Sequence, residues 1–346
     1  MNGRLLPHLM CPTCRSSRNP LSLSAGTEER VNGRWTEILS GEIRCGGCRN
    51  SFKIDRGIPD LLPAPSETIR REQAGIQTMY DNIQDADYDR TLLQQPWIHD
   101  PRHPEHWLSI AALFDQAAAL LVQLDDDKNR SDLTLIDLGA GSCWSTAQFS
   151  KMGYHCAALD ISPHPRAGLG AAETRFNASL PYFDRILASM DVIPFRDHSV
   201  DRVITMDSVH HASDLAATAR EIFRVLRPGG FYIAAAEPVR GILKNRGIGK
   251  TEIEQYGWNE HSYSRGEYKG IFSTAGFDTR ILFPASIGSR IKSGIKSQKL
   301  SNRILGGIAR YVWSYGPSHR LLTGPLFAPL QVLFGLPLIL LAKKPA

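Results

Sequence analysis

The sequence predicts an α/β protein, a mostly parallel sheet with helices on both faces, preceded by a small metal-binding module. Two observations carry this. Between residues 132 and 284, short apolar β-like runs alternate with runs of helical period, the pattern of a parallel sheet covered on both sides. Ahead of that region, four cysteines form two C-x-x-C pairs, Cys11-Pro12-Thr13-Cys14 and Cys45-Gly46-Gly47-Cys48.

Composition sets the background. With 42% hydrophobic and 22% charged residues the chain is ordinary globular material, which excludes wholesale disorder and a polytopic membrane protein. Residues 1–10 hold one Arg and a broken apolar stretch, too little for a secretory signal, so a cytoplasmic location is expected. In a reducing compartment paired cysteines read as metal ligands before disulfides. Each knuckle offers two thiolates from one tight turn. Two such turns close a tetrahedral, structural Zn²⁺ site from Cys11, Cys14, Cys45 and Cys48.

The elements follow in order. Residues 1–63 form the module and end at Gly57-Ile58-Pro59-Asp60-Leu61-Leu62-Pro63, where Gly and Pro mark a boundary. Residues 64–131 read as a helical entry segment, with a long apolar helix from His106 to Leu124 opened by Pro104. The run Asp125-Asp126-Asp127 then reads as a solvated linker. Residues 132–346 carry strands at Leu133–Leu138, His155–Leu159, Asp184–Ala188, Arg202–Met206 and Phe231–Ala235. The helical run Ala216–Leu226 ends in Arg227-Pro228-Gly229-Gly230, a turn that feeds the last of these strands.

The first strand runs into Asp137-Leu138-Gly139-Ala140-Gly141-Ser142, and a helix begins near Cys143. Glycines at such a bend let the backbone approach a ligand and leave helix N–H groups aimed at it. The second strand ends in Asp160, nineteen residues after Gly141, where an acid can accept two hydrogen bonds from ribose hydroxyls. Together these describe a nucleoside-containing cofactor. The dinucleotide fingerprint places a third glycine where this chain has Trp144, which disfavours NAD.

Leu135 to Ser142 resembles motif I of class I S-adenosylmethionine-dependent methyltransferases, and the likeness continues in register. Asp160 and Ile161 match motif II. Met190-Asp191-Val192-Ile193-Pro194-Phe195 matches the loop whose acid contacts the adenine amino group, and Asp201 to Met206 matches strand four. Val209-His210-His211 and Glu221 to Gly230 are similar to the ubiquinone-biosynthesis-like, type 11 branch. The resemblance implies a Rossmann-like, seven-stranded, mostly parallel sheet with an antiparallel last strand. It implies Asp137, Gly139, Ala140 and Gly141 at the methionine end of S-adenosylmethionine, Asp160 and Ile161 at the ribose, and Met190, Asp191 and Val192 around the adenine, with Met206 closing strand four. One departure is Cys143 where the family usually has glycine; followed by Trp144, it is expected to narrow the pocket. Residues 1–63 are similar to the Trm112-like zinc ribbons, in which Gly-Ile-Pro after the second knuckle is typical and some of which activate methyltransferases by docking on them.

Catalysis of methyl transfer rests mainly on placing donor and acceptor in near-attack geometry. His210 and His211 stand at the ligand edge of the sheet, as candidates to accept an acceptor's proton or as packing for the next helix. From Thr279 onward there are ten Lys or Arg and no Asp or Glu, which leaves a net −5 on residues 1–278, thirty basic against thirty-five acidic. Residues 285–336 are therefore expected to form a basic helical cover on the acceptor side. The run Ser289–Arg310, with Arg290, Lys292, Lys296, Lys299, Arg303 and Arg310, also suits peripheral membrane contact. Leu326–Ala342 reads as a short helix followed by the final strand, because Pro329 and Pro337 break a span. The expected function is methyl transfer from S-adenosylmethionine to a small-molecule or lipid-like acceptor. An RNA methyltransferase gripping phosphates with ribbon and tail, or a non-catalytic cofactor-binding adaptor, are the alternatives.

Overall fold

In the computed structural model the described residues are all except 17, 32, 34, 82–87, 99–103, 244–255, 294–313, 315 and 325. Short strands open the chain: β1 (Leu21–Ala25), β2 (Glu28–Val31), β3 (Trp35–Ile38), β4 (Gly41–Cys45), β5 (Ser51–Asp55) and β6 (Ile58–Pro59). β1, β4, β5 and β6 make an antiparallel sheet in that order, while β2 and β3 form a hairpin. In β5 burial alternates, so Phe52 and Ile54 point inward as a half-buried strand requires. The knuckle residues Arg15 and Arg49 both have positive φ, at 50° and 63°. Each returns its N–H to the first cysteine of its pair, at 3.0 Å to Cys11 O and Cys45 O. The two turns are therefore alike in conformation, as the repeated C-x-x-C pattern anticipates.

The second sheet has seven strands: β7 (Thr134–Leu138), β8 (His155–Asp160), β9 (Asp184–Leu187), β10 (Val200–Met206), β11 (Leu226–Glu237), β12 (Asp278–Leu282) and β13 (Leu338–Lys343), ordered β12-β13-β11-β10-β7-β8-β9. Neighbours from β11 to β9 pair in parallel, and β13 lies antiparallel between β11 and β12. The central strands are buried on both faces, which is why they read as unbroken apolar runs. This is the Rossmann-like, seven-stranded architecture expected.

Helices cover the sheet and its edges: α1 (Glu67–Asp81), α2 (Tyr88–Gln94), α3 (Pro104–Leu124), α4 (Trp144–Lys151), α5 (Ala172–Asn177), α6 (Leu215–Val225), α7 (Arg265–Thr274), α8 (Ala285–Ser293), α9 (Gly316–Thr323) and α10 (Phe327–Phe334). Local chemistry fixes their starts. Asp214 caps α6 by accepting from the N–H groups of Ala216 and Ala217, and Ser264 with Glu267 makes a capping box on α7. α3 is long and apolar enough to cross a membrane by length and composition alone. Here its stripe Ile110, Leu113, Phe114, Ala117 and Leu121 is buried against the protein.

The core does not stop at Pro63. Met1, Leu9, Ile43 and Ile54 belong to the same apolar cluster as Ile136, Leu159 and Phe195. Backbone bonds stitch the halves together: Met10 N–H donates to Pro194 O at 3.0 Å, Arg196 N–H to His8 O at 2.8 Å, and Leu61 N–H to Leu187 O at 2.9 Å. Arg185 at the sheet edge reaches Glu37 Oε1 at 2.9 Å, with both side chains buried.

One expectation is corrected. Asp125 is no part of a solvated linker: it is 1% exposed and receives Arg202 Nε at 3.0 Å and the Tyr154 hydroxyl at 2.9 Å, so it ties the end of α3 to β10. Burial opposes its ionisation, but Arg202 outweighs that and lowers its pKa. Only Asp126 and Asp127 are exposed. The C-terminal extension is helical in α8, α9 and α10, yet α8 packs on α3 and α10 backs onto Ile242 and Leu243, whose N–H groups bond to Val332 O and Leu333 O. Lys296, Lys299, Arg303 and Arg310 lie outside the described residues. Leu326–Ala342 divides as expected into a helix ending at Gly335, with φ 58°, and the strand β13.

Candidate functional site

A cavity of about 530 Å³ opens at the carboxyl ends of β7, β8, β10 and β11, within the size range of small-molecule sites. The turn after β7 forms its floor. Gly139, at φ 66°, approaches so closely that a Cβ would lie 2.5 Å from Met190 Cε and 2.7 Å from Ser208 Cβ. At Gly141, φ 49°, a Cβ would meet Ala167 O at 3.7 Å, an ordinary contact, so there the left-handed backbone rather than crowding favours glycine. The two glycines thus serve different ends: the first lets the turn pack, the second supplies a left-handed residue on the cavity wall.

Asp160 closes β8 beside this turn. Its Oδ2 accepts from Gly141 N–H and its Oδ1 from Ser162 N–H, both at 2.8 Å. Burial pushes its carboxyl up to about 6, against the pull of those two donors. Each oxygen retains a lone pair, so the group can accept two more hydrogen bonds from a ligand.

Of the residues expected at the site, Gly139, Gly141, Asp160, Ile161, Met190, Asp191, His210 and His211 line the cavity. Asp137, Ala140, Val192 and Met206 do not. Asp137 lies fully buried beneath the turn, where its Oδ2 accepts from the Ser145 and Thr146 hydroxyls at 2.6 Å each. It therefore fastens the start of α4 rather than facing the ligand space, and burial raises its pKa to about 6. Ala140 is 4% exposed and bonds through its N–H to Leu159 O. Asp191 borders the cavity and accepts from the Thr218 hydroxyl at 2.8 Å.

Cys143 adopts φ 60° as the N-cap of α4, the conformation that makes glycine the usual residue there. Its side chain is buried and absent from the cavity wall, and Trp144 turns away to pack edge-on against Phe114. The expected narrowing does not occur.

The far end of the cavity holds groups that sequence reasoning missed. α1 presents Ile69, Glu72, Ile76 and Tyr80, a stripe at helical spacing, and Trp258 and Glu260 arrive from the segment after β11. Among the described residues these, with His106 and Pro238, line that end of the cavity. Glu237, the last residue of β11, is fully buried under the turn that carries both histidines. It accepts from Ser208 and Val209 N–H at 3.2 Å, from His210 N–H at 3.3 Å and from the Thr205 hydroxyl at 3.2 Å, and lies 2.8 Å from His210 Nδ1. Burial disfavours both charges. For Glu237 the His210 imidazole and the N–H donors prevail and lower the pKa; for His210 the Glu237 carboxylate, helped by Asp207 and Glu260, raises it to about 9. His211 is three-quarters buried. Its Nδ1 sits 2.8 Å from Glu72 Oε1 at an angle that makes no hydrogen bond, and its Nε2 lies 3.7 Å from Glu260 Oε1.

Away from the cavity, the sulfurs of Cys11, Cys14, Cys45 and Cys48 converge within 4.8 Å of one another, with Cys11–Cys48 at 3.5 Å and Cys14–Cys45 at 3.7 Å. No disulfide links them.

Residues 136–234 match the family model described as "Methyltransferase domain". Among curated relatives, a dimethylglycine N-methyltransferase of Parasynechococcus marenigrum is 29% identical over 166 residues, 45% of this chain and 55% of that protein. A demethylmenaquinone methyltransferase of Corynebacterium efficiens is 33% identical over 96 residues, 28% of this chain and 38% of that one. The chain thus spans about half the length, or less, of the relatives it matches. A solved structure of Haemonchus contortus phosphoethanolamine N-methyltransferase 2 in complex with S-adenosyl-L-methionine shares the fold with a TM-score of 0.51 at 14% identity, covering 96% of this chain and 70% of that one. Sequence match, sheet order and the glycine turn beside Asp160 agree on a methyltransferase-like domain over residues 136–234.

Proposed function

We propose that this protein transfers a methyl group from S-adenosylmethionine to a small-molecule or lipid-like acceptor bound in the 530 Å³ cavity. The observation that carries the reading is that one cavity joins the Gly139–Gly141 turn and Asp160 to a partly apolar far end formed by Ile69, Ile76, Tyr80 and Trp258. The donor set fits the cofactor: Asp160 has acceptor capacity for two ribose hydroxyls, Gly141 stands on the cavity wall, and Met190 and Asp191 border the place of the adenine. In the reaction the sulfonium–methyl bond breaks as the acceptor–methyl bond forms, and the sulfur keeps the electron pair as a neutral thioether. The protein's contribution is positioning, together with a destination for the acceptor's proton at the Glu72 carboxylate on the cavity wall.

The N-terminal module is read as a structural zinc ribbon. Four Zn–S bonds of about 2.3 Å in a tetrahedron imply sulfur–sulfur edges of about 3.8 Å, close to the spacing of the four cysteines. Its contacts at Pro194 and Arg196 lie directly after the Met190–Val192 loop, so the ribbon buttresses the adenine side of the cavity in the same chain.

The test is incubation of the purified protein with methyl-labelled S-adenosylmethionine and, in parallel, cellular RNA, a lipid extract and a water-soluble metabolite extract. Label entering the lipid or metabolite fraction is the expected result. Label confined to RNA would replace the acceptor class, and no label in any fraction despite cofactor binding would favour the adaptor.

A further inference from the structure

We propose that His210 Nε2, His211 Nε2 and Glu260 Oε1 form a binding site for a divalent first-row transition-metal ion at the acceptor end of the cavity. The three ligand atoms lie within 4.8 Å of one another, with Glu260 Oε1 4.0 Å from His210 Nε2 and 3.7 Å from His211 Nε2. Ligands about 2.1 Å from one ion stand about 3.0 to 3.4 Å apart at octahedral or tetrahedral angles, so the two edges to Glu260 would close by about 0.3 to 1.0 Å on binding.

The arrangement behind the ligands supports the same reading. A metal-bound histidine ordinarily directs its other ring nitrogen at a carboxylate, which fixes the ring and raises its basicity. His210 does so, its Nδ1 hydrogen-bonded to Glu237 Oε2 at 2.8 Å, while His211 Nδ1 stands 2.8 Å from Glu72 Oε1 with no hydrogen bond formed. A carboxylate thus stands behind each imidazole, and the remaining nitrogens lie on the side of one carboxylate oxygen, Glu260 Oε1. The rings lie 4.3 Å apart, and His210, Glu237 and Glu260 are each at most 5% exposed in their side chains.

Charge balance points the same way. Four carboxyl groups, Glu72, Glu237, Glu260 and Asp207, stand around two imidazoles, so acidic groups outnumber basic ones at this end of the cavity. A dication removes that excess. Two imidazoles and one carboxylate suit Zn²⁺, Fe²⁺, Mn²⁺ or Co²⁺ rather than Mg²⁺ or Ca²⁺, which take oxygen ligands. With three protein ligands on the wall of the cavity, the remaining positions open toward the acceptor, in contrast to the closed set of four thiolates in the ribbon. The acceptor class that fits bears a hydroxyl or enol oxygen able to coordinate the ion; this part rests on the methyl-transfer reading.

Cobalt substitution tests the site. The purified full chain, stripped and reloaded with Co²⁺, is expected to bind two ions, one giving thiolate charge-transfer bands in the near-ultraviolet and the other only d–d absorption with nitrogen and oxygen ligands. In Glu260→Gln and His211→Asn the count should fall to one, with the thiolate bands and the melting curve retained as evidence that the chain remains folded. A wild-type chain that binds a single, thiolate-ligated ion overturns the proposal, as do variants that keep both ions. Calorimetric binding of S-adenosylmethionine is measured in parallel: its absence would overturn the methyl-transfer reading and leave the ion count standing.

Discussion

Nδ1 of His210 lies 2.8 Å from Oε2 of Glu237, under a turn whose Ser208, Val209 and His210 N–H groups all point at the same carboxylate. The pair locks the turn after β10 to the end of β11 and sets which face of each histidine ring the cavity meets. Replacing Glu237 with Gln leaves a buried imidazole facing an amide, and breaking a buried ion pair in this way costs about 3 kcal/mol or more. Denaturant unfolding should register that loss, whereas Glu260→Gln, on the cavity side, should change stability much less.

Asp160 gives cofactor binding a pH dependence with a definite sign. Burial raises its carboxyl to about 6, and ribose hydroxyls bond best to the ionised form. Affinity for S-adenosylmethionine should therefore be full above about pH 7 and weaken as pH falls through 6. In the free protein the sign is reversed: a raised carboxyl contributes stability below its unfolded value near 3.8 that is lost as pH rises through 6, and the bound cofactor offsets that loss. Titrations at pH 5.5 and 7.5 should differ for the wild type and coincide for Asp160→Asn.

The ribbon should matter to both stability and binding. Cys45→Ser removes one of four thiolates, and ligand loss is coupled to unfolding of the module. Because Met10 and His8 bond to Pro194 and Arg196, the lesion should reach the Met190–Val192 loop. Elemental analysis should show lower zinc, calorimetry a lower melting temperature, and titration a weaker cofactor complex. Unchanged cofactor affinity in a zinc-depleted chain would mean that the ribbon does not buttress the site.

Cys143 tests the turn itself. At φ 60° a β-branched residue is strained, so Cys143→Val should destabilise by about 2 kcal/mol. Cys143→Gly relieves the left-handed conformation but empties a buried position, and the two effects should leave stability within about 1 kcal/mol of the wild type. Thermal unfolding of both variants checks the contrast.

Much of this was legible in the sequence because the physics is local. β7 to β11 are buried on both faces and therefore appear as apolar runs bounded by Gly, Pro or Asp, and the αL turn at Gly139 and Gly141 announces itself by residue type. Asp137 was legible as an acid at the right place but not in its direction: only packing shows that the Ser145 and Thr146 hydroxyls claim it. The acids around the histidines were hidden because Glu72, Glu237 and Glu260 come from three elements far apart in the chain. Glu237 alone carried a signal, as an acid ending a strand at the ligand edge. Asp125 looked like solvent-facing charge until its partner Arg202, on another strand, came into view.

The central claim is that Asp160 and the Gly139–Gly141 turn hold S-adenosylmethionine, and calorimetric titration of the cofactor into wild type and Asp160→Ala tests it most directly. One site per chain is expected in the wild type, with a loss of about 2 to 4 kcal/mol in the variant from two buried hydrogen bonds. Equal affinity in the two proteins, or no binding to the wild type, would contradict it.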